Sequence, residues 1–137
     1  MRAGGASSGV MARQLPLTMP ADGFVSKSFE PGELHYGLDV AGRRGNPVLA
    51  AADGTVIFGG WTYDDGYTVM LAHAEGYVTV YKHNEAIVRN TGESVRRGEV
   101  IALLGNTGRT SSGPHLHFEV WIDGIPQDPT NYLLTSQ

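Results

Sequence analysis

The segment SGPHLHFEVWI, residues 112–122, places two histidines one residue apart directly after a Gly-Pro turn. His115 and His117 alternate with apolar residues, and an alternation with a period of two predicts a half-buried β-strand. Successive side chains of a strand point to opposite faces, so the two imidazoles share one face while Leu116 and its apolar neighbours fill a core. Two imidazoles on one face can bind a metal, or can divide metal binding and proton transfer between them.

A second motif, HYGLDV, places His35 and Asp39 four residues apart. Zinc in hydrolytic sites prefers three protein ligands drawn from His, Asp and Glu, and leaves a fourth position for water. His35, Asp39 and one of the pair His115 and His117 make such a set. His83 and the other member of the pair then remain to handle protons. These residue types alone do not say which histidine of the pair is the ligand.

The two other histidines each end a predicted strand of one hairpin. YTVMLAH ends in His73 and YVTVYKH ends in His83, and the connection AEG offers Gly76 for a left-handed backbone conformation. Alternation along the second strand puts His83 on the same face as Tyr81. His73 has no acidic or histidine neighbour at a spacing that indicates chemistry, so we assign it a structural role.

The elements that must position these residues are short strands joined by turns. The run NPVLAAADGTVIFGG predicts two strands broken by the turn Asp53-Gly54. Glycines also punctuate TGESVRRGEVIALLGNTG around its apolar centre. Only NEAIVRN, residues 84–90, indicates a helical turn. The sequence therefore predicts a mostly β domain over residues 18–137, preceded by a flexible tail or linker over residues 1–17.

Composition excludes several classes of protein. The net charge is −4 and no long basic run is present, which argues against a nucleic-acid-binding protein. The chain has no cysteine, so a metal must be held by His, Asp or Glu. No segment approaches the roughly 20 apolar residues of a membrane helix, and the first residues lack the apolar region of a signal peptide. We therefore expect no transmembrane segment and no signal peptide in this chain.

From about Pro20 to Leu133, the chain resembles the lysostaphin-type (LytM-type) zinc metallopeptidases, which cut peptidoglycan peptides. Five motifs come in that family's order and at compatible spacings: HYGLDV, NPVLAAADGTVIFGG, GYVTVYKHN, GESVRRGEVIALLGNTG and SGPHLHFEVW. The resemblance implies an all-β fold, the lysostaphin-like duplicated hybrid motif, in which antiparallel sheets form a groove over a zinc site. The short segment EPGEL, residues 30–34, departs from the family pattern and suggests a more open groove.

The same resemblance implies a role for each candidate residue. His35, Asp39 and His117 are expected to bind Zn²⁺, and His83 and His115 are expected to be the catalytic imidazoles. The implied function is a peptidoglycan endopeptidase of the cell envelope, periplasmic or extracytoplasmic, that hydrolyses stem or cross-link peptides. A larger parent protein or an envelope regulator is expected as a partner.

Two other functions are consistent with parts of the sequence. One is a catalytically silent module of the same fold, which binds the cell wall or activates another hydrolase. The other starts from TGESVRRGEVIALLG, which is similar to the hairpins of biotinyl and lipoyl carrier domains. Such carriers need a lysine in a tight turn, and neither Lys27 nor Lys82 lies in one. We therefore set the carrier function aside.

Overall fold

The computed structural model describes residues 16–134, whose regular secondary structure is almost entirely β-strand. The strands are β1 (Phe24–Lys27), β2 (Leu38–Ala41), β3 (Pro47–Leu49), β4 (Gly54–Thr62), β5 (Gly66–Ala72), β6 (Tyr77–Asn84), β7 (Ala86–Ile87), β8 (Ser94–Val95), β9 (Val100–Leu103), β10 (His115–Ile122) and β11 (Ile125–Gln127). Short 3₁₀ turns occupy Pro31–Glu33, Ala74–Gly76 and Pro129–Asn131. Every pairing between these strands is antiparallel, which confirms the predicted all-β fold.

Two sheets enclose one apolar core. The larger sheet has the strand order β1-β2-β10-β6-β5-β4-β8, with β11 paired to β10, and the smaller sheet has the order β3-β9-β7. Val40, Phe118 and Val69 of the larger sheet belong to the same cluster of fully buried side chains as Val48 and Ile101 of the smaller sheet. One face of the larger sheet is therefore covered, and its other face is free to carry a site.

The alternation predicted for residues 115–122 is confirmed in β10. Leu116, Phe118 and Val120 are fully buried in the core, while His115 is half-buried on the other face. The predicted hairpin is also confirmed as β5 and β6. The positive φ angles of its connection are shared by Glu75 and Gly76.

The helical turn predicted for residues 84–90 is wrong. Ala86–Ile87 forms β7, which pairs with β9. The Glu85 N–H donates to the Leu103 carbonyl at 2.8 Å and the Val88 N–H donates to the Ile101 carbonyl at 3.0 Å. A partner strand brought from further along the chain thus outweighs the weak local helical preference.

The predicted tail covers residues 1–17, of which residues 1–15 lie outside the described part of the chain. Leu17 is only 2% exposed, and its N–H donates to the Tyr132 carbonyl at 2.8 Å. Leu17 therefore packs with the domain. Within residues 16–134, no helix has the length and apolar character that crossing a bilayer requires.

His73, Thr79 and Tyr81 form a chain of hydrogen bonds. The donor of each bond can be assigned by starting from the two ends of this chain. The Ala51 N–H donates to the Tyr81 hydroxyl at 3.0 Å, and His73 Nδ1 donates to the Asp53 carbonyl at 2.6 Å. His73 Nε2 must then accept a hydrogen bond from the Thr79 hydroxyl, at 2.7 Å. The Thr79 hydroxyl in turn accepts one from the Tyr81 hydroxyl, at 2.8 Å. The structure thus gives His73 hydrogen-bond partners in the fold, in line with the structural role assigned to it.

Replacing Tyr81 by phenylalanine is expected to destabilise the fold by about 1–3 kcal/mol, because the buried Ala51 N–H loses its acceptor. Burial also raises the pKa of Tyr81 to about 12. The tyrosine therefore contributes stability that is fully present below about pH 10 and is lost between about pH 10 and 12, as the unfolded chain ionises first. Urea unfolding of the unchanged protein and of the Tyr81→Phe variant, at pH 7 and at pH 11, measures this difference in the free energy of unfolding.

The matched control for this experiment is Tyr63→Phe, since Tyr63 is 73% exposed. It should change the free energy of unfolding little at either pH. Equal stability of the Tyr81→Phe variant and the unchanged protein at pH 7 would contradict the assigned hydrogen-bond chain.

Candidate metal centre

The pairing of β2 with β10 brings together the two motifs of the predicted metal site. Asp39 lies directly opposite His117 in this pairing, although 78 residues separate them. Asp39 Oδ1 is 2.8 Å from His117 Nδ1, and Asp39 Oδ2 is 3.1 Å from His35 Nε2. One ligand atom from each of His35, Asp39 and His117 lies within 4.8 Å of the others.

Glycine is required between the two residues of the HYGLD motif. Gly37 is buried, and a Cβ atom built on it would lie 2.7 Å from both His117 Nε2 and the Phe118 carbonyl oxygen. Any side chain would therefore push the β2 backbone away from His117 and separate the two motifs.

The position of His35 is set by the short loop that precedes it. The backbone groups of Glu30 and His35 exchange two hydrogen bonds, at 2.8 and 3.0 Å, which close the loop around the turn Pro31–Glu33. His35 Nδ1 lies 2.7 Å from the Ser28 carbonyl oxygen. A carbonyl only accepts, so Nδ1 carries the proton and Nε2 presents a lone pair.

The residues of this cluster fit a metal ion. His35 Nε2 is buried and has no hydrogen-bond partner among residues 16–134, although Asp39 Oδ2 is 3.1 Å away. Two lone pairs facing each other at that distance repel unless a cation lies between them. The donor set of two imidazole nitrogens and a carboxylate oxygen is one that Zn²⁺ prefers.

His83 reaches this centre through a break in the strand. Tyr81 pairs with Val69 and Asn84 pairs with Tyr67, so two residues of β6 oppose one residue of β5. His83 has a φ of +70° within this β-bulge. The prediction that His83 shares a face with Tyr81 is therefore wrong, because the bulge re-aims the side chain away from the core.

Asn84 stabilises the bulge from inside the protein. It is fully buried, and its amide nitrogen donates to the carbonyl oxygens of Tyr67, at 2.9 Å, and Tyr81, at 3.0 Å. These carbonyls flank the irregular pairing. The Asn84 amide thus supplies donors that an apolar side chain at this position would lack.

The rings of His83 and His115 lie side by side, with their centroids 4.9 Å apart. His83 Nδ1 donates to the Thr107 carbonyl and His115 Nδ1 to the Gly113 carbonyl, both at 2.8 Å. In the neutral form of each ring, Nε2 is then the nitrogen with the lone pair. His115 Nε2 lies 3.7 Å from Asp39 Oδ1, next to the cluster of ligand atoms. Burial lowers the pKa of His83, so this ring is neutral at pH 7.

A family model decides the classification. Residues 33–129 match the model described as Peptidase family M23. The chain belongs to this peptidase family. The M23 chain is 46% identical over 101 residues to the DD-carboxypeptidase/endopeptidase Mpg of Neisseria meningitidis serogroup B, an alignment that covers 74% of this chain and 23% of Mpg. It is 34% identical over 116 residues to the murein hydrolase activator NlpD of Salmonella typhimurium, covering 83% of this chain and 30% of NlpD.

Solved structures confirm the predicted lysostaphin-like fold. Lysostaphin from Staphylococcus simulans matches with a TM-score of 0.72 and 28% identity, over 82% of this M23 chain and 52% of lysostaphin. A zinc containing peptidase from Vibrio cholerae matches with a TM-score of 0.77 and 34% identity, over 83% of this chain and 39% of that one. The chain spans about a quarter to a third of the two curated relatives, with 23% of Mpg and 30% of NlpD covered.

Sequence reasoning missed one acidic residue of the M23 site. Glu119 lies on the same face of β10 as His117, and its Oε2 atom is 2.8 Å from His117 Nε2. Lys82 Nζ is 3.0 Å from Glu119 Oε2, and Trp121 Nε1 donates to Glu119 Oε1 at 2.7 Å. The signal was present in the sequence, because residues 115, 117, 119 and 121 share one face of the predicted strand.

These contacts set the charges of the M23 site. Burial raises the pKa of Asp39, but the hydrogen bond from His117 and the neighbouring imidazoles outweigh it, so this pKa is below its usual value. Burial likewise opposes ionisation of Glu119, yet His117, Lys82 and Trp121 lower its pKa to about 2. Burial lowers the pKa of Lys82, but Glu119 and Asp65 raise it above its usual value. Both carboxylates are therefore ionised at pH 7, which is the form in which Asp39 could bind a metal.

Proposed function

We propose that this chain is a zinc-dependent endopeptidase that hydrolyses peptide bonds in the stem or cross-link peptides of peptidoglycan. The observation that carries the proposal is the convergence of three possible ligand atoms within 4.8 Å of one another beside two imidazoles, each of which donates from Nδ1 to a backbone carbonyl and so can accept a proton at Nε2. The names of two similar proteins support it, namely the DD-carboxypeptidase/endopeptidase Mpg and the zinc containing peptidase from Vibrio cholerae.

In this proposal, each of the five residues has a defined task. His35, Asp39 and His117 would hold Zn²⁺, which supplies a Lewis acid that polarises a carbonyl and makes water acidic enough to attack it near pH 7. His115 and His83 line the same cleft as the ligands. A neutral Nε2 on one of them accepts the proton of the attacking water, and the resulting N–H then hydrogen-bonds the developing oxyanion or protonates the leaving amine.

We place this activity in the bacterial cell envelope, where peptidoglycan lies. The name of NlpD, a murein hydrolase activator, supports this location, because murein is peptidoglycan. Because this chain spans less than a third of Mpg and of NlpD, we propose that it acts within a larger parent protein or with an envelope regulator.

A hydrolase-activating module is the second candidate function. The 34% identity to the murein hydrolase activator NlpD favours it. Such a module needs the surface of the fold but not a working metal centre. Its signature would be stimulation of another wall hydrolase by a chain that releases no peptides itself.

One digest separates the two functions. Purified peptidoglycan is incubated with the zinc-loaded chain, and the released fragments are identified by mass spectrometry. We expect new peptide termini that name the cleaved bond, that disappear with a chelator and that return when zinc is added. If a chain shown to hold zinc releases nothing from several wall chemistries, the endopeptidase proposal is wrong and the activator function is favoured.

A further inference from the structure

Glu119 is a buried carboxylate with three donors around it. It is 6% exposed, and it contacts His117 Nε2 at 2.8 Å, Trp121 Nε1 at 2.7 Å and Lys82 Nζ at 3.0 Å. Lys82 also reaches Asp65, with Nζ 3.2 Å from Asp65 Oδ2. Burying a carboxylate is costly unless it is paired and hydrogen-bonded. Here all the polar partners are supplied by β10 itself and by the adjacent strand β6.

We propose that Glu119 is a positioning residue. When zinc replaces the Nδ1 proton that His117 shares with Asp39, Glu119 keeps the remaining proton on Nε2 and so directs the Nδ1 lone pair toward the metal. An ionised carboxylate only accepts hydrogen bonds, so the Nε2 atom facing it must carry a proton. In a neutral imidazole the other nitrogen is then the one able to bind a metal. This inference rests on the proposed zinc function and adds to it a residue that touches neither metal nor substrate.

The geometry around Glu119 keeps its carboxylate from turning away. Trp121 Nε1 donates to Oε1, while His117 and Lys82 both contact Oε2. Lys82 pairs with His117 across β6 and β10, so the register of these two strands sets the position of the ammonium group. The carboxylate is thus fixed from two sides before any metal binds, and it fixes the ring of His117 in turn.

The test compares Glu119→Gln with Glu99→Gln, measuring zinc affinity by competition with a chromophoric chelator. Glutamine keeps the shape of the side chain but has one acceptor and one donor group, so it cannot accept from all three neighbours. We expect Glu119→Gln to weaken zinc binding about 10- to 100-fold, as loss of a partner of a ligating histidine typically does. Glu99, a half-buried carboxylate that accepts from the Arg96 N–H, is the matched control and should leave zinc affinity unchanged.

A second measurement reads the tautomer directly. In the zinc-loaded ¹⁵N-labelled protein, long-range ¹H–¹⁵N spectra should assign the proton of His117 to Nε2, with slow exchange against solvent. In the Glu119→Gln variant this N–H should exchange faster. A proton on Nδ1 of His117 in the zinc-loaded protein would overturn the inference even if the variant does not fold.

The outcomes also separate this inference from the proposed function. Unchanged zinc affinity in a folded Glu119→Gln variant means that Glu119 has only a structural role, and the zinc enzyme proposal stands. If the unsubstituted chain binds no zinc, the proposed function fails and the inference fails with it.

Discussion

Replacing His117 by alanine is expected to abolish both zinc binding and peptidoglycan cleavage. His117 lies 2.8 Å from Asp39, and its ring centroid is 5.0 Å from that of His35. Losing it leaves two of the three proposed protein ligands. The loss of affinity should exceed the roughly 10- to 100-fold typical for removing a group that only supports a ligand. Zinc content after dialysis, measured by mass spectrometry of the metal, gives the result directly.

The control for this variant is His73→Ala. His73 is also partly buried, but it contacts Asp53 and Thr79 rather than the cluster of ligand atoms. Its replacement should lower the midpoint of thermal unfolding and leave the zinc content at one ion per chain. A folded His117→Ala variant that keeps both zinc and activity would remove His117 from the ligand set.

Replacing His115 by alanine is expected to leave zinc bound. Turnover should fall about 100- to 1000-fold, because the loss of one oxyanion-stabilising group typically has an effect of this size. His115 directs its Nε2 toward the cleft, 3.7 Å from Asp39, while its Nδ1 is held by the Gly113 carbonyl. Zinc content and the rate of peptide release must be measured on the same preparation.

His83→Ala is the companion variant, because the two rings lie 4.9 Å apart and share the proposed task. It too should keep zinc and lose turnover. Loss of metal and activity in equal measure in the His115 variant would instead make His115 a ligand. The pair of variants thus tests the division of labour between ligands and proton-transferring imidazoles.

Local patterns in the sequence were sufficient to predict most of the strands. Period-two alternation predicted β10 and the face that its histidines share, and turn residues predicted the β5–β6 hairpin and the break before β4. Each of these features depends on residues close together in the chain, where the side-chain period and the φ preference of glycine act directly. The weak helical signal at residues 84–90 failed because its competitor, β9, comes from elsewhere in the sequence.

The types of residue in the candidate site were also readable from the sequence, and the ordered motifs predicted the family that the comparisons confirm. The assignment of ligands and catalytic imidazoles remains a prediction for the variants above. What the residues alone left open was which histidine of the pair faces the other motif, since that depends on strand register.

Tertiary structure decided the distances between the candidate site residues and the directions in which their side chains point. The register of β2 against β10 puts Asp39 opposite His117 across 78 residues, and a shift of one residue would turn these side chains to the other face. A bulge re-aims His83, which strict alternation along the strand placed on the same face as Tyr81. The approach of Lys82 and Trp121 to Glu119 depends on the pleat of two paired strands. The order of the motifs along the chain was enough to predict the family. Only the packing of the strands brings atoms from distant motifs to within 3 Å of one another.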